Sequence, residues 1–146
     1  MAFHGTFEHN LDAKNRLTVP AKYRGALSGG VYLVRSADDP CLQVYPAERY
    51  DALADQAVAG MNPMSRQARE VRRLLFSFAD DVALDGAGRI TLGARQLQHA
   101  GIEGRDVVIT GIGDALELWS PKGWADYETG LLSRAAELTG SLDHPA

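Results

Sequence analysis

A chain of 146 residues with 45% hydrophobic and 23% charged side chains has the make-up of a soluble globular protein, with room for one compact domain or two small, closely associated ones. No apolar run approaches the roughly 18 residues of a membrane span, and residues 1–10 lack the basic-then-apolar order of a secretory signal. The single cysteine, Cys41, excludes an internal disulfide and fits a reducing cytoplasm as a plain packing residue.

The first strand signal is the period-2 apolar set His9, Leu11, Leu17 and Val19, interrupted by a tight connection that carries Asp12 and Arg16; this predicts a hairpin. Asn15, just before the arginine, tolerates a positive φ. Arg16 and Thr18 fall on the face opposite Leu17 and Val19, so the arginine is presented outward from an anchored strand. After Pro20, Ala21 to Leu27 reads as a short helix stopping at Gly29. Val31 to Val34 reads as a buried strand, and Leu42, Val44 and Tyr45 as another. A helix from Pro46 to Ala59 follows. Asn62 as cap and Pro63 at the first helical position then open an amphipathic helix reaching Phe78, with Ala68, Val71, Leu74, Leu75 and Phe78 on its apolar face and Arg66, Arg69 and Arg73 on or beside its solvent flank.

The chain then repeats itself. Asp12, Arg16, Leu17 and Thr18 recur 73 positions later as Asp85, Arg89, Ile90 and Thr91, and His9, Leu11 and Val19 as Val82, Leu84 and Leu92. Gly88 stands where Asn15 does, so a shared turn geometry is expected. Gly93 replaces Pro20, Ala94 to Ala100 is a second short helix ending at Gly101, and Val107 to Ile109 a second buried strand. In the next strand Leu116, Leu118 and Trp119 match Leu42, Val44 and Tyr45 at an offset of 74, which holds as far as Tyr50 and Trp124. Ser120 and Pro121, a cap and a first-turn proline, start a final helix, and the tail from Thr139 to Ala146 reads as frayed. Copies of about 45 residues are near the size at which a lone core becomes marginal, so the halves need each other.

The net charge of -4 argues against a nucleic-acid partner only until it is divided along the chain. Residues 1–36 hold Lys14, Arg16, Lys22, Arg24 and Arg35 against Glu8 and Asp12, and residues 61–79 hold Arg66, Arg69, Arg72 and Arg73 against Glu70. Each segment is therefore +3, and the remainder is acidic, with -2 over residues 80–106. Potential at a phosphate depends on charges within a Debye length of about 8 to 10 Å, so segregated charge outweighs the sign of the total. The second copy reads as the less basic, without counterparts of Lys14 and Lys22.

Enzymatic readings find no support. His4 and His9 fall on opposite faces of a strand with no Cys or acidic cluster to complete a metal site. No serine sits in a nucleophile elbow, and Gly86 and Gly88 precede a strand rather than the helix that a phosphate loop needs.

Together these residues resemble the MraZ family of bacterial transcriptional regulators, whose copies each look like the swapped-hairpin DNA-binding unit of AbrB-type proteins. The resemblance spans about residues 3–127 and rests on Phe3-His4-Gly5, the run from Asn10 to Pro20 with Arg24, the run from Cys41 to Pro46, the Asn62-Pro63 helix, and the run from Asp85 to Arg89. It implies an α+β fold of two tandem swapped-hairpin units forming one pseudo-symmetric, β-barrel-like domain with peripheral helices. The units would be 5–49 (DNA-binding) and 79–122, joined by helices over 50–78 and followed by a helix and tail over 123–146. The family's Asp-x-x-x-Arg hairpin touches DNA, and by matching position that role falls on Asp12 and Arg16, with Lys14 at the turn and Arg24 beyond the proline. Thr18, Lys22, Asp85 and Arg89 complete the candidate set. On the residues alone, Asp12 and Asp85 also read as turn caps, Arg16 as a solvated surface arginine or a partner for Asp12, and Arg89 as half of an ion pair between copies or between subunits. The resemblance further implies a homo-oligomeric ring binding repeated double-stranded promoter DNA upstream of the division and cell-wall gene cluster, its own gene included. It implies a cytoplasmic, nucleoid-associated protein with no cofactor, small-molecule substrate or membrane. An antitoxin-like scaffold that does not bind DNA is the alternative.

Overall fold

The computed structural model describes residues 2–143. The first copy contributes β1 (Thr6–Asn10), β2 (Arg16–Thr18), α1 (Ala21–Leu27), β3 (Val31–Arg35) and β4 (Leu42–Pro46). Two helices follow, α2 (Ala47–Val58) and α3 (Arg66–Arg72), the latter running into a π turn over Arg73–Ser77. The second copy repeats the order as β5 (Ala79–Val82), β6 (Arg89–Thr91), α4 (Ala94–Ala100), β7 (Asp106–Gly111) and β8 (Leu116–Trp119). Helices α5 (Pro121–Ser133) and α6 (Ala135–Gly140) close the chain, with a last 3-10 turn over Ser141–Asp143 where a frayed tail was expected; residues 144–146 of that tail lie outside the described residues.

The predicted hairpins close only at their tips. The Asp12 N–H donates to the Arg16 carbonyl and the Asn15 N–H to the Asp12 carbonyl, both at 3.0 Å. Beyond that the strands part: β1 ladders with β7 and β2 with β6, while β5 ladders with β3. An alternating apolar pattern fixes which side chains face inward but carries no information about which strand lies alongside. The result is a six-stranded antiparallel sheet in the order β1-β7-β8-β4-β3-β5, and a separate two-stranded ribbon of β2 and β6. The sheet is open, with β1 and β5 at its edges, so the barrel-like closure expected from the sequence is not formed. The α+β class and the pseudo-symmetry are.

That symmetry can be located. In the ribbon Leu17 lies opposite Ile90, and at the sheet centre Gln43 lies opposite Glu117; each pair consists of the same position in the two copies. An approximate two-fold axis therefore passes through both pairs. Between them the repeat slips: Val31 and Leu33 correspond to Val107 and Ile109, an offset of 76, because the loop after α4 is longer and the turn before β8 shorter than their counterparts.

Leu17 and Ile90 are 1% and 0% exposed, and they join Leu11, Val19, Leu92, Leu33, Ile109, Leu42, Leu116 and Leu118 in one core shared by both copies. Burying each large side chain contributes roughly 1.5–3 kcal/mol, so the short ribbon is held by its inner face rather than by its few ladder hydrogen bonds. Two satellite clusters lie under the helices. Tyr50 of α2 packs with Val34 and Tyr45, and Trp124 of α5 with Trp119 and Cys41, the pairs Tyr50–Tyr45 and Trp124–Trp119 being at equivalent positions.

The helix starts follow capping chemistry. The Ser120 hydroxyl accepts from the Gly123 N–H at 2.9 Å ahead of Pro121, as its sequence predicts. The α3 cap is Ser65 rather than Asn62: Ser65 accepts from the Ala68 N–H, while the Asn62 side chain accepts from the Met64 N–H in the preceding turn. Ser65 is the only residue of the two with its oxygen three residues before a free helical N–H.

Candidate nucleic-acid interface

The ribbon places both Asp-x-x-x-Arg tips on one surface. β2 and β6 run antiparallel with Arg16 opposite Thr91 and Thr18 opposite Arg89, so both arginines and both threonines share the face turned away from Leu17 and Ile90.

Each tip is built by its aspartate. Asp12 Oδ1 accepts from the backbone N–H of Lys14 and of Arg16, both at 2.9 Å, and Asp85 Oδ1 accepts from Ala87 and Arg89 at the same distances. The second oxygen takes the arginine: Arg16 Nε donates to Asp12 Oδ2 and Arg89 Nε to Asp85 Oδ2, both at 2.7 Å. The backbone N–H of Arg16 chiefly, and that of Arg89 in the other copy, hold the Asp12 and Asp85 carboxyls below their ordinary pKa of 3.8. Both the capping and the ion-pair readings are thus realised in the same side chains. Asn15 and Gly88 have φ of 57° and 76°, so the turn geometry is shared as expected. The copies also brace each other, since the Asn15 carbonyl accepts from the Leu92 N–H and the Gly88 carbonyl from the Val19 N–H, both at 2.9 Å.

Using Nε for the aspartate leaves the outer Nη edge of each guanidinium to other partners. For Arg16 no hydrogen bond to that edge occurs among the described residues; for Arg89, Nη1 lies 4.0 Å from Asp12 Oδ2, which links the two tips. The Arg16 and Arg89 side chains are 27% and 32% exposed, so both are presented but splinted.

The other candidates divide. Lys14 and Thr18 are exposed at the tip and on the ribbon face. Arg24 reaches back from α1, its Nε donating to the Val19 carbonyl at 3.1 Å. Lys22 is exposed but stands over the Phe7 ring, 4.6 Å from its centroid, and 5.0 Å from that of Tyr23, on the β1 side of α1. Contrary to the sequence reading, Lys22 does have a counterpart: Arg95 stands 73 positions on. The second copy lacks Lys14 and Arg24, whose places hold Ala87 and Leu97. The same offset that revealed the repeat would have shown this. The α3 arginines lie elsewhere, with Arg72 over the half-exposed Phe76 and Arg66 paired to Glu70.

Nothing in the site resembles reaction chemistry. Among the described residues no three His, Cys, Asp or Glu side chains are grouped to hold a metal, and no helix is long and apolar enough to cross a membrane. Cys41 is fully buried, its thiol pushed up by burial, which suits a packing role.

A duplicated α+β chain that presents two splinted arginines from a two-stranded ribbon has the architecture of a recognition protein. Comparison places it more closely. The chain belongs to the MraZ family: the family model described as "MraZ protein, putative antitoxin-like" matches residues 2–74 and again residues 75–139. A protein of Nocardioides sp. called transcriptional regulator MraZ is 40% identical over 145 residues, covering 99% of this chain and 98% of its own. Proteins of the same name from Symbiobacterium thermophilum (40% over 123 residues, 84% and 87%) and Corynebacterium glutamicum (42% over 126 residues, 86% of each) are similar. The family is one of transcriptional regulators, not enzymes.

Proposed function

We propose that this chain is a DNA-binding transcriptional regulator that reads repeated double-stranded promoter elements with the β2–β6 ribbon, and that it acts in the cytoplasm on the nucleoid. The observation that carries this reading is the pair of Asp-braced arginines on one ribbon face, with Lys14 and Arg24 beside them. A two-stranded ribbon fits the major groove of B-DNA, where a guanidinium bonds guanine O6 and N7 together through its Nη edge. Arg16 and Arg89 are the base readers; Lys14, Arg24 and Lys22 suit phosphates, and Thr18 lies on the same face. Asp12 and Asp85 act by aiming the arginines, not by touching DNA. The exchange of β1 and β5 between the copies supports an AbrB-like swapped-hairpin unit.

The tips carry few uncompensated charges per chain, because each arginine is matched by an aspartate. Binding therefore depends on several chains acting on repeated sites, as a closed homo-oligomeric ring does through effective concentration. The targets we infer are direct repeats upstream of the division and cell-wall genes, the chain's own gene among them. Footprinting of the purified protein on DNA upstream of its own gene tests this: protection at regularly spaced repeats is expected, and no protection at low salt, with the ring intact, would favour the antitoxin-like scaffold instead.

A further inference from the structure

Gly88 and Asn15 occupy the same turn position with the same left-handed backbone, yet their surroundings differ. Asn15 is exposed, whereas Gly88 is buried, and what covers it is Arg24 of the other copy. A Cβ on Gly88 would lie 2.4 Å from Arg24 Nε, 2.7 Å from Cδ and 2.9 Å from Cζ, all closer than such contacts permit. A positive φ alone does not demand glycine here, since asparagine meets it at the first tip. What glycine permits here is the close seating of the guanidinium group against the turn, since any Cβ would push the Arg24 side chain away. The seat is completed by the Val19 carbonyl, which accepts from Arg24 Nε at 3.1 Å, while the Val19 N–H donates to the Gly88 carbonyl at 2.9 Å. Arg24, Val19 and Gly88 thus form one bonded unit across the two copies. With Nε committed, the Nη groups have no hydrogen-bond partner among the described residues. The reciprocal seat does not exist, because Leu97 replaces Arg24 in the second copy and, partly buried, packs against the core instead.

We infer that Gly88 is a positioning residue for DNA binding: it makes the seat from which the first copy lends Arg24 to the second copy's tip as a phosphate contact, supplying there the basic group that Ala87, in the place of Lys14, does not. The inference rests on the DNA-binding reading above. Arg24 is too short of freedom in this seat to follow a base edge, but a fixed guanidinium beside a reading arginine is suited to hold the backbone phosphate next to the base that Arg89 meets.

The test compares wild type, Gly88→Asn, Arg24→Leu and the double variant on a mixed-sequence DNA duplex, by fluorescence anisotropy over a salt series. Asparagine keeps the turn, as at position 15, but fills the seat. Gly88→Asn is expected to weaken binding about three- to tenfold, to lower the salt slope by about 1, and to add nothing once Arg24 is leucine. A parallel readout needs no DNA: the Arg24 Nε–H proton should be protected from exchange in wild type, and should lose that protection in Gly88→Asn. A wild-type chain that binds no duplex at low salt overturns the DNA reading itself. Normal binding by Gly88→Asn while Arg24→Leu loses affinity overturns the positioning role alone. If Gly88→Asn does not fold, the wild-type Nε–H decides, and exchange as fast as that of an exposed arginine refutes the seat.

Discussion

Replacing Arg16 with alanine separates recognition from folding in a way the geometry makes quantitative. Leu17, 1% exposed, anchors the strand and is untouched, and the tip is held by Asp12 Oδ1, which accepts two backbone N–H groups whatever side chain follows. What stability loses is one partly exposed ion pair, below about 1 kcal/mol. On the proposed reading, what recognition loses is a bidentate base contact, about 1–3 kcal/mol or roughly 5- to 150-fold per chain. There is a second cost. With its partner gone, the Asp12 carboxylate is an uncompensated negative charge on the ribbon face, which repels phosphate. Arg16→Ala should therefore keep its melting temperature and assembly state, lose specific binding in an anisotropy titration on upstream DNA, and recover a little of it when Asp12→Asn is added. Unchanged affinity of a folded, assembled Arg16→Ala protein would refute the role assigned to the ribbon.

Arg89→Ala should weaken DNA binding less than Arg16→Ala, because Arg89 is shared between Asp85 and, at 4.0 Å, Asp12; equal losses in the same titration would count against this. Glu117 is half-buried, accepting from Trp119 Nε1 and Thr110 Oγ1 at 3.2 Å, and burial raises its pKa above 4.5. The folded state thus holds that proton more tightly, so stability from this group is greatest below pH 4.5 and falls as pH rises through the raised value. Glu117→Gln, which copies Gln43 across the axis, should flatten the dependence of melting temperature on pH above 4.5 and raise it at neutral pH; a lower melting temperature there would show that the ionised network stabilises the fold. Leu17→Ala should cost about 2–4 kcal/mol in a denaturant titration, far more than any change on the ribbon's outer face. Light scattering should give a mass several times 15.8 kDa, and a monomer with full DNA affinity would rule out dependence on assembly.

Much of this was legible in the sequence because it is local. The helices Ala21–Leu27 and Ala94–Ala100, the Ser120 cap and the positive φ at Asn15 and Gly88 each follow from residues within one turn. The aspartate and arginine of each tip, four residues apart, were readable as a pair for the same reason. Strand partners were not. His9, Leu11, Leu17 and Val19 mark the correct inward faces, but β1 lies against β7 and β2 against β6, choices made by a core that spans both copies. The Arg24 seat on Gly88 is likewise invisible along the chain, since it joins positions 64 apart that only the β2–β6 pairing brings together.

The placement of differences between the copies has a physical logic. Two identical chains related by a two-fold axis must present identical tips, because each residue's partner is its own copy. A single chain carrying both copies is free of that constraint wherever the axis does not require equivalence. Here the apolar positions of the shared core keep their chemistry, as Leu17 with Ile90 and Val19 with Leu92, whereas Gln43 meets Glu117 on the axis itself. The residues around the tips do not keep theirs: Ala87 stands in the place of Lys14, Gly88 in that of Asn15, and Leu97 in that of Arg24. Lys14 serves the first tip and Arg24, seated on Gly88, the second, so the two tips carry their extra charge at different places on similar backbone turns. A surface that is symmetric in shape and asymmetric in charge has a direction, and a protein with a direction matches targets repeated head to tail rather than as palindromes.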